Sequence, residues 1–259
     1  MEKTRLDLLL LQRGLAESRA KAQALILAGQ VRVNGQMCEH ASSAFGPQVT
    51  VEVESGPPFV SRGGEKLQAA LQGFAINPAG LVCADVGAST GGFSDCLLQH
   101  DAAKIYAIDV GKGILHWKIR SDARVVVMEE TNARHVLALP EKIDLFVCDA
   151  SFISLRILLP VMKGWLKEGG QGVTLIKPQF EAGRKESARG QGVIRDPAVH
   201  RRVLQETLTF ARSLGFGLRG LLKSPVIGPK GNIEFLAWLD LNETASLEIS
   251  RLAEQALQG

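Results

Sequence analysis

The stretch Asp85-Val86-Gly87-Ala88-Ser89-Thr90-Gly91-Gly92-Phe93 carries the first chemical signal in the chain. It follows the apolar run Leu81-Val82-Cys83-Ala84, and a second run, Ile105-Tyr106-Ala107-Ile108, ends in Asp109. A buried strand, a glycine turn, a helix and a second strand ending in a carboxylate make half of a nucleotide-type site. Glycines let backbone approach a ligand closely, and the acid can hold ribose hydroxyls. The spacing is not G-x-G-x-x-G, which speaks against nicotinamide or flavin, and no G-K-[ST] follows to cradle phosphates. An acid opening the loop suits a ligand without phosphates and with a positive charge, which is the character of S-adenosylmethionine. The expected contacts are Asp85, Gly87, Ser89, Gly91, Gly92, Phe93 and Asp109. Asn132, just past a third strand, could reach the adenine end or could be a turn residue. For the loop as a whole the competing reading is an ordinary strand-to-helix turn.

Four further charged residues could do chemistry. Lys177 closes the run Gly172-Val173-Thr174-Leu175-Ile176, where desolvation and a second cation would make an ammonium a usable base. The alternative is a lysine that snorkels to solvent. Asp149 ends Ile143-Asp144-Leu145-Phe146-Val147-Cys148 in the equivalent place, either as part of a site or as a helix cap. Glu234 lies among Ile233, Phe235, Leu236 and Trp238, so a buried carboxylate there wants a cationic partner. Lys66 begins a helix in Arg62-Gly63-Gly64-Glu65-Lys66-Leu67, and an exposed helical lysine is its plain reading.

These residues need a scaffold, and the rest of the pattern supplies one. Strand-like segments near 81–86, 104–109, 124–128, 143–149 and 171–177 alternate with helical ones, and two late runs near 216–223 and 232–240 flank a Pro/Gly-rich turn. Alternation of β and α predicts a Rossmann-like, mostly parallel sheet, and the late pair predicts one antiparallel strand. Ligands of such sheets bind beyond the carboxyl ends of the strands, where Asp85, Asp109, Asp149 and Lys177 are expected. Leu67, Ala70, Leu71 and Phe74 have helical spacing. Ahead of this lies a small α+β module. Thr4 with Asp7 reads as a capping-box-like helix start and Gly14 as its end. Ser18 caps a second helix that stops at Gly29, Val31 to Met37 reads as a hairpin about Asn34-Gly35, and Val49, Val51 and Val53 alternate as a strand. Two prolines within Glu54 to Phe59 mark a linker.

The 259 residues, 46% of them hydrophobic, suffice for one large and one small domain. A net charge of +3 permits a nucleic-acid partner without requiring one. Four cysteines without a C-x-x-C pair, two of them in apolar runs, predict buried free thiols and a reducing compartment. No apolar stretch reaches the roughly 18 residues of a membrane span, and the N-terminus lacks signal-peptide order, so a soluble cytoplasmic protein without stable membrane association is expected.

Taken together, these segments resemble the TlyA-type ribosomal RNA 2′-O-methyltransferases, historically labelled haemolysins, within the FtsJ-like group with its Lys-Asp-Lys-Glu tetrad. The resemblance is carried by Arg5-Leu6-Asp7 through Val33-Asn34-Gly35, Val60 to Leu67, Asp85 to Phe93, Cys148 to Phe152, Ile176-Lys177-Pro178-Gln179-Phe180-Glu181 and Gly231-Asn232-Ile233-Glu234. It implies that Lys66, Asp149, Lys177 and Glu234 form the tetrad, that the cofactor is S-adenosyl-L-methionine with no metal, and that cytidine in ribosomal RNA, free or in subunits, is the substrate. The implied division is 1–55 as an RNA-binding domain named after ribosomal protein S-four, 56–63 as linker, 64–245 as methyltransferase domain and 246–259 as a C-terminal helix. Arg5, Arg19, Lys21 and Arg62 are expected to meet RNA, as are Arg184, Lys185 and Arg189 of a glycine-punctuated loop that reads equally as a substrate flap or a plain surface loop. Through Lys66 there are eight Lys/Arg against seven Asp/Glu, so the RNA reading rests on clustering and resemblance rather than net charge. Two other functions stay open: a membrane-active haemolysin, for which no amphipathic barrel or exposed apolar helix is visible, and a non-catalytic ribosome-assembly factor.

Overall fold

The computed structural model describes residues 3–54, 56–241 and 246–258. The chain divides into two units, Met1–Pro58 and Phe59–Gly259.

The first unit is built on β1 (Thr4–Arg5), α1 (Leu6–Gln12), α2 (Arg19–Leu27), β2 (Val31–Val33), β3 (Gln36–Met37), β4 (Ala44–Phe45) and β5 (Val51–Val53). Ser18 caps α2 as expected, its Oγ accepting from the Lys21 amide at 3.2 Å. Asn34 and Gly35 both take positive φ, 51° and 78°, which the tight β2–β3 turn requires. The capping box at Thr4 does not form. Thr4 and Arg5 instead pair with Phe45 and Ala44, and the Asp7 carboxylate is taken up by Arg5, Arg19 and Gln23. Leu6, Leu10, Ala22, Ile26, Val31 and Val33 form the core of this unit.

The second unit carries a seven-stranded sheet made of β6 (Val82–Val86), β7 (Lys104–Ile108), β8 (Val125–Met128), β9 (Ile143–Cys148), β10 (Leu166–Ile176), β11 (Gly217–Lys223) and β12 (Phe235–Asp240). Their order is β11-β12-β10-β9-β6-β7-β8. All neighbours are parallel except β12, which runs against both β10 and β11. The chain leaves β6 to build β7 and β8 on one side, then returns to build β9 on the other. The carboxyl edge between β6 and β9 is therefore a topological switch point, where a crevice opens. The apolar run of β9 is buried on both faces. Phe146 and Cys148 pack into one layer and Leu145 and Val147 into the other, the two-residue alternation that a central strand demands.

Helices α3 (Gly63–Gly73) and α4 (Gly92–Gln99) cover the face of Leu145 and Val147, through Leu67, Ala70, Leu71, Cys96 and Leu97. The opposite face is covered by α6 (Leu155–Trp165), α9 (Pro197–Ser213) and α10 (Ile249–Gln258), and a one-turn α5 (Trp117–Arg120) precedes β8. β10 begins five residues earlier than its apolar run suggests, with a register shift between Leu166 and Gln171. All four cysteines are free, and burial pushes the thiols of Cys83, Cys96 and Cys148 up to about 12, so they behave as small apolar fillers. Among the described residues no helix is long and apolar enough to cross a membrane.

Candidate active site

The site is assembled at the carboxyl edge of the sheet. Three of its charges stand one residue past a strand end: Asp109 after β7, Asp149 after β9 and Lys177 after β10. Glu234 stands one residue before β12, and because β12 is reversed its beginning lies at that same edge. Lys66 comes from the second turn of α3. What brings that helix close is the absence of side chains. A Cβ on Gly92 would overlap Ser61 Oγ and come within 2.9 Å of the Gly64 amide, and a Cβ on Gly64 would overlap the Phe59 ring. The starts of α3 and α4 therefore touch through glycine backbone.

The four expected tetrad residues meet. Lys66 Nζ lies 2.7 Å from Glu234 Oε2 and 3.5 Å from Asp149 Oδ2. Lys177 Nζ lies 2.6 Å from Asp149 Oδ1. Asp149 thus bridges the two ammonium groups, and Glu234 holds Lys66 from the far side. Both lysines are buried, at 7% and 6% exposure, which removes the readings of Lys66 as an exposed helical residue and Lys177 as a snorkelling one. Lys177 Nζ donates as well to the Asp149 carbonyl at 3.0 Å and to Ser151 Oγ at 2.8 Å. All four residues line a cavity of about 1050 Å³, as do Arg62, Gly87, Ser89, Gly92 and Phe93.

A second cleft of about 760 Å³ shares Gly87, Ser89, Asp149 and Ser151 with the first and continues past Asp109, Val110, Ile114 and Asn132. Gly87 has φ +81°, and a Cβ there would stand 2.9 Å from the Ala150 backbone, so only glycine lets the loop close onto the end of β9. Asp109 organises the loop, with Oδ2 accepting from the Ser89 amide at 2.8 Å and Oδ1 from the Gly111 amide at 2.7 Å. Each carboxylate oxygen keeps acceptor capacity for a ligand hydroxyl. Asn132 lines this cleft and also caps the short 3-10 helix Ala133–His135 by accepting from the Arg134 amide, so its place in a turn does not remove it from the cleft. The donor set fits a nucleoside without a polyphosphate. It offers apolar shelves for a ring and a carboxylate for a ribose, and the one lysine or arginine among the described residues lining it is Arg134.

Two expected contacts fall elsewhere. Asp85 is one residue inside β6, fully buried, and lines neither cleft. Its Oδ2 accepts from Ser94 Oγ at 2.7 Å. It braces α4 beneath the loop. Burial pushes its carboxyl up to about 7, the Ser94 bond opposes this, and the charges of Asp149 and Asp109 add to it. Gly91 is also behind the surface. It takes φ +94° at the N-cap of α4, against Leu115 and Ile119.

The basic residues scatter. In the first unit Arg5 and Arg19 converge on the buried Asp7, at 3.1 and 2.9 Å, while staying about half exposed. Lys21 is exposed on α2. Arg62 is exposed at the rim of the larger cavity. The basic segment after Lys177 is no open loop. It follows a turn, α7 (Pro178–Glu181), and forms α8 (Arg184–Arg189), with Gly192 anchored by the Asn232 side chain at 2.9 Å. Ser187, Ala188 and Gln191 line the cavity, whereas Lys185 and Arg189 point to solvent. The Arg184 side chain lies outside the described residues.

Several residues with a place in the site had no assigned part in the sequence reading. Gln179 donates to Glu234 Oε1 at 3.2 Å. Glu181, itself pushed up by burial, accepts from Ser154 Oγ at 2.6 Å and from the Leu155 amide at 2.8 Å, so it caps α6 and ties the Lys177 segment to the loop after Asp149. Phe152 is 90% exposed at the rim with φ +62°, its ring 5.0 Å from that of Phe180.

Comparison with known proteins agrees with this architecture. Residues 59–241 match the FtsJ-like methyltransferase family and residues 4–51 match the S4 domain. The YqxC protein of Bacillus subtilis is 43% identical over 98% of this chain and 94% of its own. The Mycobacterium tuberculosis protein named 16S/23S rRNA (cytidine-2'-O)-methyltransferase TlyA is 42% identical over 97% of this chain and 95% of its own. A crystal structure from Lactococcus lactis that carries the haemolysin label superposes with a TM-score of 0.74 at 44% identity, covering 78% of this chain and 98% of that one. The chain therefore belongs to the FtsJ-like methyltransferase family, with an S4 domain at its N-terminus.

Proposed function

We propose that the protein transfers a methyl group from S-adenosylmethionine to the 2′-oxygen of a cytidine ribose in ribosomal RNA, in the cytoplasm. The observation that carries this reading is the meeting of Lys66, Asp149, Lys177 and Glu234, drawn from four separate elements, on one wall of the cavity that also contains the glycine loop. The relatives named as rRNA cytidine-2'-O-methyltransferases supply the substrate class.

When bound, the cofactor supplies an electrophilic sulfonium methyl. The chain's part follows from its geometry. Gly87, Ser89, Asp109 and Asn132 would hold the nucleoside of the cofactor, in the cleft that meets the Lys177 cavity. A ribose hydroxyl is a poor nucleophile at neutral pH, so Lys177 binds the 2′-oxygen and takes its proton as the new bond forms. Asp149 fixes Lys177 and Lys66 at a set separation, while Glu234, braced by Gln179, keeps Lys66 in place. Holding oxygen and methyl in line contributes a large share of the rate without further chemistry. Arg5, Arg19 and Lys21 of the S4 unit, and Arg62 at the cavity rim, bind the RNA backbone. Lys177→Ala is expected to abolish methyl transfer to ribosomal RNA in a tritiated-methyl assay while cofactor affinity stays within about twofold. Near-normal turnover in that variant would refute the assignment.

A further inference from the structure

We infer that Ser151 is a positioning residue for the proton transfer, the one hydrogen-bond partner of Lys177 among the described residues that can follow its amine through both charge states. This rests on the proposed function and goes beyond the tetrad. Lys177 Nζ has three partners: Asp149 Oδ1 at 2.6 Å, the Asp149 carbonyl at 3.0 Å and Ser151 Oγ at 2.8 Å. An ammonium has three donors and no lone pair, so the Asp149 carbonyl and Ser151 Oγ both accept from it while Asp149 Oδ1 attracts it as an ion-pair partner. A neutral amine has two N–H donors and one lone pair, and that lone pair is what removes a proton. Neither a carboxylate nor a backbone carbonyl can donate to it, whereas a serine hydroxyl turns over and can. The lone pair of the neutral amine is therefore held in the Ser151 direction: the Asp149 carbonyl keeps one N–H bond, and the nearby Asp149 carboxylate repels a lone pair on its side.

That direction opens onto the ligand space. Ser151 is exposed, unlike Lys177, and it lines both clefts at their junction. A 2′-hydroxyl entering there meets the lone pair by replacing the Ser151 hydrogen bond. In the transfer the ribose O–H bond breaks and its proton goes to Lys177 Nζ. An O–C bond forms as the C–S bond breaks, and the C–S electron pair remains on sulfur, so charge and atoms balance. Ser151 returns to accepting from the ammonium once the product leaves.

The test uses the full-length protein with Ser151→Ala and Ser151→Thr. In steady-state methylation of ribosomal RNA, Ser151→Ala is expected to lower kcat on the order of tenfold, less than the roughly 10²–10⁴-fold of a whole acid–base step because Ser151 orients the base and is not itself the base, with KM for RNA and cofactor affinity within about twofold. Ser151→Thr, which keeps the hydroxyl, restores most of the rate. In lysine-selective 1H–15N spectra of the cofactor-free protein, the Lys177 ammonium is expected to exchange its protons several-fold faster in the alanine variant and at the wild-type rate in the threonine variant. Unchanged kcat and exchange in Ser151→Ala would overturn the inference, and so would equal losses in both variants, since shape rather than the hydroxyl would then matter. Wild-type protein that transfers no methyl would sink the proposed function, yet the exchange measurement would still decide the part played by Ser151.

Discussion

Replacing Asp85 with asparagine isolates the cost of keeping a carboxyl inside β6. The side chain is fully buried, Ser94 Oγ satisfies Oδ2, and Oδ1 has no partner among the described residues. Burial, with Asp149 and Asp109 adding to it, pushes the group up to about 7 from the 3.8 it has in an unfolded chain. The folded protein therefore holds a proton over a pH range in which the unfolded chain has released it. Stability falls as pH rises through that window and levels off once the folded group ionises. A full proton difference is worth about 1.4 kcal/mol per pH unit, and the folded group is half ionised by pH 7, so the wild type loses about 2 kcal/mol between pH 5 and pH 7, and about 3 by pH 8, that the variant does not. Any fixed cost of the amide, such as an unpaired N–H, is the same at every pH and cancels in the difference. Trp117, Trp165 and Trp238 all lie in the unit that contains Asp85, so urea unfolding followed by tryptophan fluorescence reports on the right region. Measured at pH 5, 6, 7 and 8, the stability of Asp85→Asn minus that of wild type is expected to grow by about 3 kcal/mol. A difference that stays flat across this range would show that Asp85 titrates normally and that the brace under the glycine loop is not a buried neutral acid.

Two further outcomes follow from the geometry. Gly92→Ala places a Cβ against Ser61 Oγ and the Gly64 amide, prising α3 from α4 and displacing Lys66; overpacking of this kind costs roughly 1–3 kcal/mol, and methyl transfer is expected to fall further than the midpoint of urea unfolding suggests. Arg19→Ala removes a half-exposed guanidinium held by Asp7, so affinity for ribosomal RNA is expected to drop and the slope of log K against log salt to shrink by roughly one, whereas an unaltered slope in filter-binding titrations would mean that Arg19 meets no phosphate.

The charged residues of the site were legible in the sequence to the extent that each stood just outside an apolar run. Asp109, Asp149 and Lys177 sit one residue past β7, β9 and β10, where a side chain leaves the sheet and faces the crevice. Glu234 obeys the same rule in mirror image, since β12 is antiparallel and its start shares the edge with the other strands' ends. Asp85 falls two positions short of that place. With β6 running to Val86, the pleat sends the Asp85 side chain inward, to Ser94, and a composition-based reading cannot place the end of a strand to within two residues. Thr4 failed for a related reason. A local capping pattern lost to long-range pairing with Phe45 and to the arginines gathered on Asp7. Ser151, Gln179 and Glu181 act through partners 26, 55 and 27 residues away, so no spacing in the chain announces them. Yet these three connect what the strand-end charges leave separate: Ser151 reaches Lys177, Gln179 reaches Glu234, and Glu181 fastens the segment after Lys177 to the start of α6. Two ammonium groups set on loose strand ends would repel one another, and it is the hydrogen bonds of Ser151, Gln179 and Ser154 between these loops that help hold both about one carboxylate.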